Sequence, residues 1–394
     1  MDVAKLCVPS ATHDPVRRLN RHGRRRQAAL QRREDQPAKQ KIRLFRRAML
    51  ASGTALAAAI APVYAVNAQV ILNPPGTVPA QCTFFGGVSI CEGDLSAGLD
   101  ANGPPLNELT VRNLTSAITP TGNNNEGIKF DIAGNGNAVL EADLDLFGIT
   151  TDGNASEGIM VEIGNNGNIV VNKTGSITTK QPSSTGIETT ILGNGGITIV
   201  NDGPITTEEV QSEAIEARVS GNGNIDITSN GPLVTQGRFN SGGIDVLLGG
   251  NGNVSVTAND IITTRGDLSD GIGTRIESAT TPGTSTITIV ANGAINTSTG
   301  KGSKGIEAQI FGDGDISVTA NASVSTFGAS EPPDNSEAIN TLITGNGNIA
   351  ITACAFRPIR PPVPVYCGHR IRLIAATSAS GIVDGAINPS GWVS

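Results

Sequence analysis

Large aromatic side chains are almost missing: nine Phe, two Tyr and one Trp make up 3% of 394 residues. No Trp or Tyr occurs between Val66 and Val365, so the chain lacks the rings that usually anchor a mixed enzyme core or line a sugar groove. Cations are thin as well. Residues 49–353 hold ten Lys and Arg against 30 acids, dispersed, where a lyase-type site needs carboxylates clustered around a basic residue. Only His369 follows residue 68, and no cysteine lies between Cys91 and Cys354, which excludes ordinary zinc-ligand spacing. No Walker loop is present, and Gly-x-Gly never opens a helix, so nucleotide binding has no support. No metal, cofactor or catalytic residue is expected. Glycine is plentiful at 49 residues but never settles into an every-third-residue period, which excludes collagen. A 38% hydrophobic fraction, rich in Ile, Val, Leu and Ala, argues against disorder.

The net charge of −7 hides two opposed segments. Residues 1–48 carry 14 Lys and Arg against four acids, and the rest carry 14 against 31. The basic arm runs into Ala48–Ala61, a 14-residue apolar stretch too short to span a membrane. Small residues follow at Ala65 and Ala68. A basic n-region, short apolar h-region and small-residue cleavage site form a secretory signal. Targeting thus explains the arm, and no nucleic acid is expected as a partner. Residues 1–48 are read as an extended presequence, disordered or helical, or as sequence upstream of a later true start. Residues 49–68 supply the h- and c-regions.

Cleavage would remove Cys7 and leave four cysteines, an even number compatible with two disulfides in an exported chain. Cys82 and Cys91 bracket TFFGGVSI, a strand, Gly-Gly turn and strand. Cys354 and Cys367 bracket a proline-rich loop. Local pairing within each bracket is the simplest of three connectivities.

A repeat dominates the body. Gly-Ile or Ala-Ile recurs at Ile128, Ile159, Ile187, Ile215, Ile244, Ile272, Ile306 and Ile339. Ten residues after each comes a second apolar position: Ala138, Ile169, Ile197, Ile225, Val254, Ile316 and Ile349, with Ile287 displaced in the sixth unit. A third column follows eight residues later at Leu146, Ile177, Ile205, Leu233, Ile262, Ile295 and Val324. Length variation falls after the third position. Apolar residues alternate with polar ones, as in Ile306-Glu-Ala-Gln-Ile310, which is strand periodicity. Between the first two columns stands a Gly-Asn-Gly-Asn corner such as Gly221–Asn224, suited to positive φ.

Three short strands and three corners per unit predict an all-β, right-handed parallel β-helix (solenoid) of about eight to nine rungs. Residues 69–100 are expected to cap it, 101–353 to form the repeats, and 354–394 to be an irregular Pro-rich segment whose pattern resumes near Gly381-Ile382.

Gly-Ile-x-x-x-Ile, then Gly-Asn-Gly-Asn, then Ile-x-Val-Thr, after a secretory signal, resembles the β-helical passenger of bacterial outer-membrane autotransporters over about residues 101–353. The resemblance implies a passenger exported through the inner membrane to the cell surface or medium. Its role would be structural or adhesive, toward host or neighbouring-cell surface molecules, matrix or polysaccharide. The translocating barrel of that family is not found in these 394 residues, so the outer membrane would be engaged through a missing or separate barrel. Without one the product would be periplasmic, and a truncated or frame-disrupted gene product is one reading. Polysaccharide lyases share the fold, which makes a carbohydrate-active enzyme the alternative.

Four features invite specific readings. Arg265-Gly266-Asp267, in a variable third corner, is a candidate receptor-binding tripeptide or a plain solvated corner. Gly312-Asp313-Gly314-Asp315 resembles calcium-roll loops, but Asn replaces Asp in other units, which predicts a stacked amide ladder. Thr178–Thr179, Thr206–Thr207 and Thr263–Thr264 would make a flat outward threonine face, a candidate ice-binding surface or plain strand chemistry. Glu208, Glu209, Glu213 and Glu216 are read as a solvated acidic patch.

Overall fold

The computed structural model describes residues 69–353 apart from 75–76, 104, 280–284, 299–300 and 328–335, together with the backbone of two later strands, Ile371–Ala375 and Gly381–Asp384. The presequence, the signal segment, Cys354 and Cys367 lie outside the described residues.

The chain coils as a parallel β-solenoid of about nine turns built from three sheets of eleven, twelve and seven strands. Sheet 1 carries the first strand of each turn, sheet 2 the second and sheet 3 the third. Successive turns pair in register, so Ile187 lies between Ile159 and Ile215, Ile197 between Ile169 and Ile225, and Ile205 between Ile177 and Leu233. Period-2 alternation sends these side chains inward, and the first-column isoleucines from Ile128 to Ile339 are at most 1% exposed. Each buried Ile or Val contributes roughly 1.5–3 kcal/mol before chain entropy is charged against it.

One column assignment is corrected. Leu146 is 86% exposed, and Ile149 takes the third-column place, paired with Ile177. The loop before it is three residues longer than the eight-residue spacing allows, so Asp145–Phe147 bulges outward while Leu144 is buried. The displaced sixth unit behaves as expected: Ile287 stacks between Val254 and Ile316.

At the N-terminal end, Cys82–Phe85 and Val88–Gly93 form an antiparallel hairpin closed by the Cys82–Cys91 disulfide. Gly86 and Gly87 have φ of 62° and 89°, the conformation that a two-residue hairpin turn requires. The expected 100/101 boundary falls inside strand Leu99–Asn102, because Val70–Leu72 and Leu99–Asn102 already belong to sheet 1. At the other end the pattern resumes at Ile371, earlier than Gly381: Ile371 pairs with Ile339 and Gly381 with Ile349. The apolar alternation of Ile-Arg-Leu-Ile-Ala suits this extra strand.

The glycines of the first corner serve a purpose other than the one expected. Only a few have φ in the left-handed region. Several of them stack without room for a side chain: a Cβ on Gly167 would lie 1.5 Å from the Gly136 carbonyl oxygen, and one on Gly223 would lie 1.7 Å from that of Gly195, whereas Gly134 faces open space. Positive φ instead recurs at the third corner in Asn124, Ala155, Ser183, Gln211, Asn240 and Leu268.

Candidate functional site

Three ladders of polar side chains run along the rod and decide which surfaces remain free. At the first corner, Asn135, Asn166, Asn194, Asn222 and Asn251 stack. Each Oδ1 accepts from both the backbone N–H and the Nδ2 of the next, at 2.8–3.3 Å. Asp313 and Asp315 take the same role toward Asn346 and Asn348. The Gly-Asp-Gly-Asp corner is therefore part of the amide ladder. A second ladder at the next corner links Asp202, Asn230, Asn259, Asn292 and Asn321.

The third ladder is internal. Thr151, Thr179, Thr207, Thr235 and Thr264 are buried, and each Oγ1 donates to a serine carbonyl five or six residues on, at 2.5–2.8 Å. Those serines, from Ser156 to Ser303, cap one another's backbone N–H from rung to rung. The expected two-wide threonine face is thus corrected. Thr179, Thr207 and Thr264 share a face with Ile177, Ile205 and Ile262 and point inward, leaving one outward threonine per strand. Period 2 already contained that signal.

Two surfaces carry unusual chemistry. On sheet 1 the outward positions Glu188, Glu216 and Asp245 are register neighbours, and Glu307 continues the row after Gly273. Glu126, Glu157, Glu213, Asp270 and Glu337 lie just before the strands. Like charges on adjacent strands repel. Arg218 lies among them, ion-paired to Glu216 and 3.8 Å from Asp245, and Lys304 meets Glu307 at 3.1 Å. The reading of Glu213 and Glu216 as solvated is corrected: they are 8% and 7% exposed, whereas Glu208 and Glu209 are exposed as expected. Neighbouring turns pack around the first pair and exclude water.

Burial has a direct electrostatic consequence. It pushes Glu216 up to about 8 against the opposing pull of Arg218. It pushes Glu188 up to about 7, helped by repulsion from Glu157, and raises Glu157 and Asp270 to about 7. Glu213 is held well above the ordinary carboxylate range by burial and by Glu216. For Arg218, burial opposes the charge, but Glu216 and Asp245 together raise it. Carboxylates held near neutrality are the kind that exchange protons with a bound group.

The second surface is the third corner. Arg265 ends the strand Ile262–Arg265, and Gly266, at φ 98°, packs against Arg238 of the previous rung. The Asp267 N–H donates to the Arg238 carbonyl, and its Oδ1 accepts from the Lys301 N–H at 2.8 Å. The tripeptide therefore lies flush against its neighbours, with its carboxylate tied to the next turn. Around it Arg238, Arg265 and Lys301 are exposed, and none makes an ion pair among the described residues. Phe239 and Leu268 lie beside them, each 46% exposed. The sequence marked only Arg265-Gly266-Asp267 here, because Arg238 and Lys301 join it through stacking of separate turns.

Among the described residues no three His, Cys, Asp or Glu side chains are placed to hold a metal ion. No family model, curated protein or solved structure matches the chain.

Proposed function

We propose that the protein is an exported β-solenoid, surface-displayed or secreted, that acts as a structural and adhesive rod without turning over a substrate. Its partner is an anionic polysaccharide of a neighbouring or host cell surface or matrix. The third corner carries the reading: Arg238, Arg265 and Lys301, exposed and without an ion pair among the described residues, on successive rungs beside exposed Phe239 and Leu268. Rungs repeat at about 4.8 Å, so the three cations, staggered around one corner on successive rungs, make a small positive patch on an otherwise acidic body. Such a patch fits a linear polyanion, with the apolar pair offering contact to sugar faces. Export is supported by the signal-like residues 49–68.

Binding of the full-length chain to immobilised polygalacturonate, measured across salt concentrations, tests this. Retention should fall steeply with salt, and the Arg238→Ala/Arg265→Ala/Lys301→Ala variant should lose it. Wild-type retention by that variant would overturn the reading. Asp267→Ala separates partners: polysaccharide binding should persist or strengthen, whereas a receptor reading Arg-Gly-Asp would lose its acid.

A second reading rests on Glu188, Glu216 and Asp245 around Arg218, an acid–base arrangement on a parallel sheet that suits a lyase acting on acidic polysaccharide. Release of unsaturated oligosaccharides that disappears in Glu216→Gln would establish it in place of the first.

A further inference from the structure

Lys173 stands where a lysine is least at ease. It extends inward from strand Ile169–Thr174, is 1% exposed, and occupies a column with Ala142 and Ala258 at alternative rungs. Its register neighbours in that column are Asn201, paired with it, and Ser229 beyond. Nζ donates to Asn201 Oδ1 at 2.7 Å. Asn201 Nδ2 donates to Ser229 Oγ at 3.0 Å, and that hydroxyl donates to the Gly231 carbonyl at 3.2 Å. Asn201 and Ser229 are as fully buried as the lysine.

An ammonium has three protons to satisfy and finds one acceptor among the described residues, an expensive arrangement for a buried charge. Burial lowers Lys173 to about 7, against the pull of Asp202 and Asp145, so a large share is neutral amine with a free lone pair. That amine lies against an amide carbon. The carbonyl bond is about 1.2 Å long, so Asn201 Cγ is within about 4 Å of Nζ. A desolvated amine held beside a carbonyl in a rigid core is an activated nucleophile, a short shift from the hydrogen bond to Oδ1 away from the face of Cγ.

We propose that Lys173 and Asn201 form an intramolecular isopeptide bond. The Nζ lone pair attacks Asn201 Cγ, and the Cγ–Nζ bond forms. The Cγ–Nδ2 bond breaks, one Nζ proton passes to Nδ2, and ammonia leaves. Nζ keeps its other hydrogen as a secondary amide. No oxidant, reductant or second substrate is needed. The proton passes directly from Nζ to Nδ2 as the two nitrogens share Cγ, while the Ser229 hydroxyl, which accepts from Nδ2, holds the departing group. The product removes a buried charge and staples two successive rungs 28 residues apart in sequence. This staple is independent of what the third corner binds.

Tryptic mapping of the folded full-length chain by mass spectrometry tests it. The expected result is a branched peptide that joins the Lys173 and Asn201 segments, uncut after Lys173 and lighter by one ammonia. Asn-Gly pairs such as Asn222-Gly223 also lose ammonia on ageing but do not join two segments, so the branch is the readout. Lys173→Met should abolish the branch. Asn201→Asp should give the same branched mass as wild type, because water leaves in place of ammonia. A wild-type peptide cut after Lys173 at full sequence mass would overturn the proposal, and so would a branch that survives Lys173→Met. The wild-type measurement does not depend on how the variants fold.

Discussion

The first and third corners of each turn are built differently. At the first corner, backbones approach so closely that Gly167, Gly195, Gly223 and Gly347 have no space for a methyl group, and asparagines of successive turns from Asn135 to Asn251 bond one another. Length there is nearly constant. At the third corner the chain turns through Asn124, Ala155, Ser183, Gln211, Asn240 or Leu268 in the left-handed region, and side chains of every kind project. The comparison teaches that the two corners are held by different means, an outer amide ladder at the first and an inner Thr–Ser ladder at the third. Close stacking occurs at both, since a Cβ on Gly153 would lie 1.8 Å from the Gly122 carbonyl oxygen, but at the third corner it alternates with positions that have more room.

The contrast can be broken most forcefully with a single methyl group. Gly195→Ala places a Cβ 1.6 Å from the Gly167 carbonyl oxygen, at φ 153°. Its expected cost is about 3 kcal/mol or more in chemical denaturation. Gly242→Ala, at the third corner, meets its nearest atom at 3.3 Å and should stay within about 0.5 kcal/mol of wild type. Equal costs would erase the distinction.

The buried sheet 1 carboxylates, which follow the third corner, give the next effect. Glu216 is raised to about 8 and Glu188 to about 7 from an ordinary 4.5, so the native state binds more protons than the unfolded chain between those limits. Stability is therefore favoured on the acid side and falls as pH rises from about 5 to 8. Glu216→Gln should stabilise the protein at pH 8 by on the order of 1–3 kcal/mol and flatten the Tm–pH curve. A Tm that rises over this range would contradict the assigned burial.

Asn194→Ala sharpens the picture of the first corner. It removes the acceptor of the Asn222 N–H and Nδ2 and should cost about 1 kcal/mol, with faster amide exchange at Asn222. Smallest is the triple Arg238, Arg265 and Lys301 alanine variant. Its stability should change by less than about 0.5 kcal/mol in denaturant titration, although its polysaccharide retention is lost.

The first and second inward columns were readable from spacing because strands of period 2 must repeat their apolar positions at the same rung angle. Leu146 defeated the third column, since a loop longer by a few residues conceals itself when it also contains a leucine. The inner threonines were readable in principle: Thr179 lies two residues from Ile177 and so shares its face. The third-corner patch was not readable beyond Arg265-Gly266-Asp267. Arg238 and Lys301 are distant along the chain and meet only because turns of unequal length stack in register. The burial of Glu213 and Glu216 was hidden for the same reason, as acidity in a sequence says nothing about which neighbours exclude water.

What the amino-acid sequence determines by itself is the solenoid: its period, its strands and its inward isoleucines, because local alternation and the need to bury apolar faces leave no other economical arrangement. Tertiary structure alone decided where the charges end up. Turns that stack at about 4.8 Å bring together residues about a repeat apart. That spacing brings Arg238, Arg265 and Lys301 to one corner, buries carboxylates so that their affinity for protons rises, and sets Lys173 against Asn201.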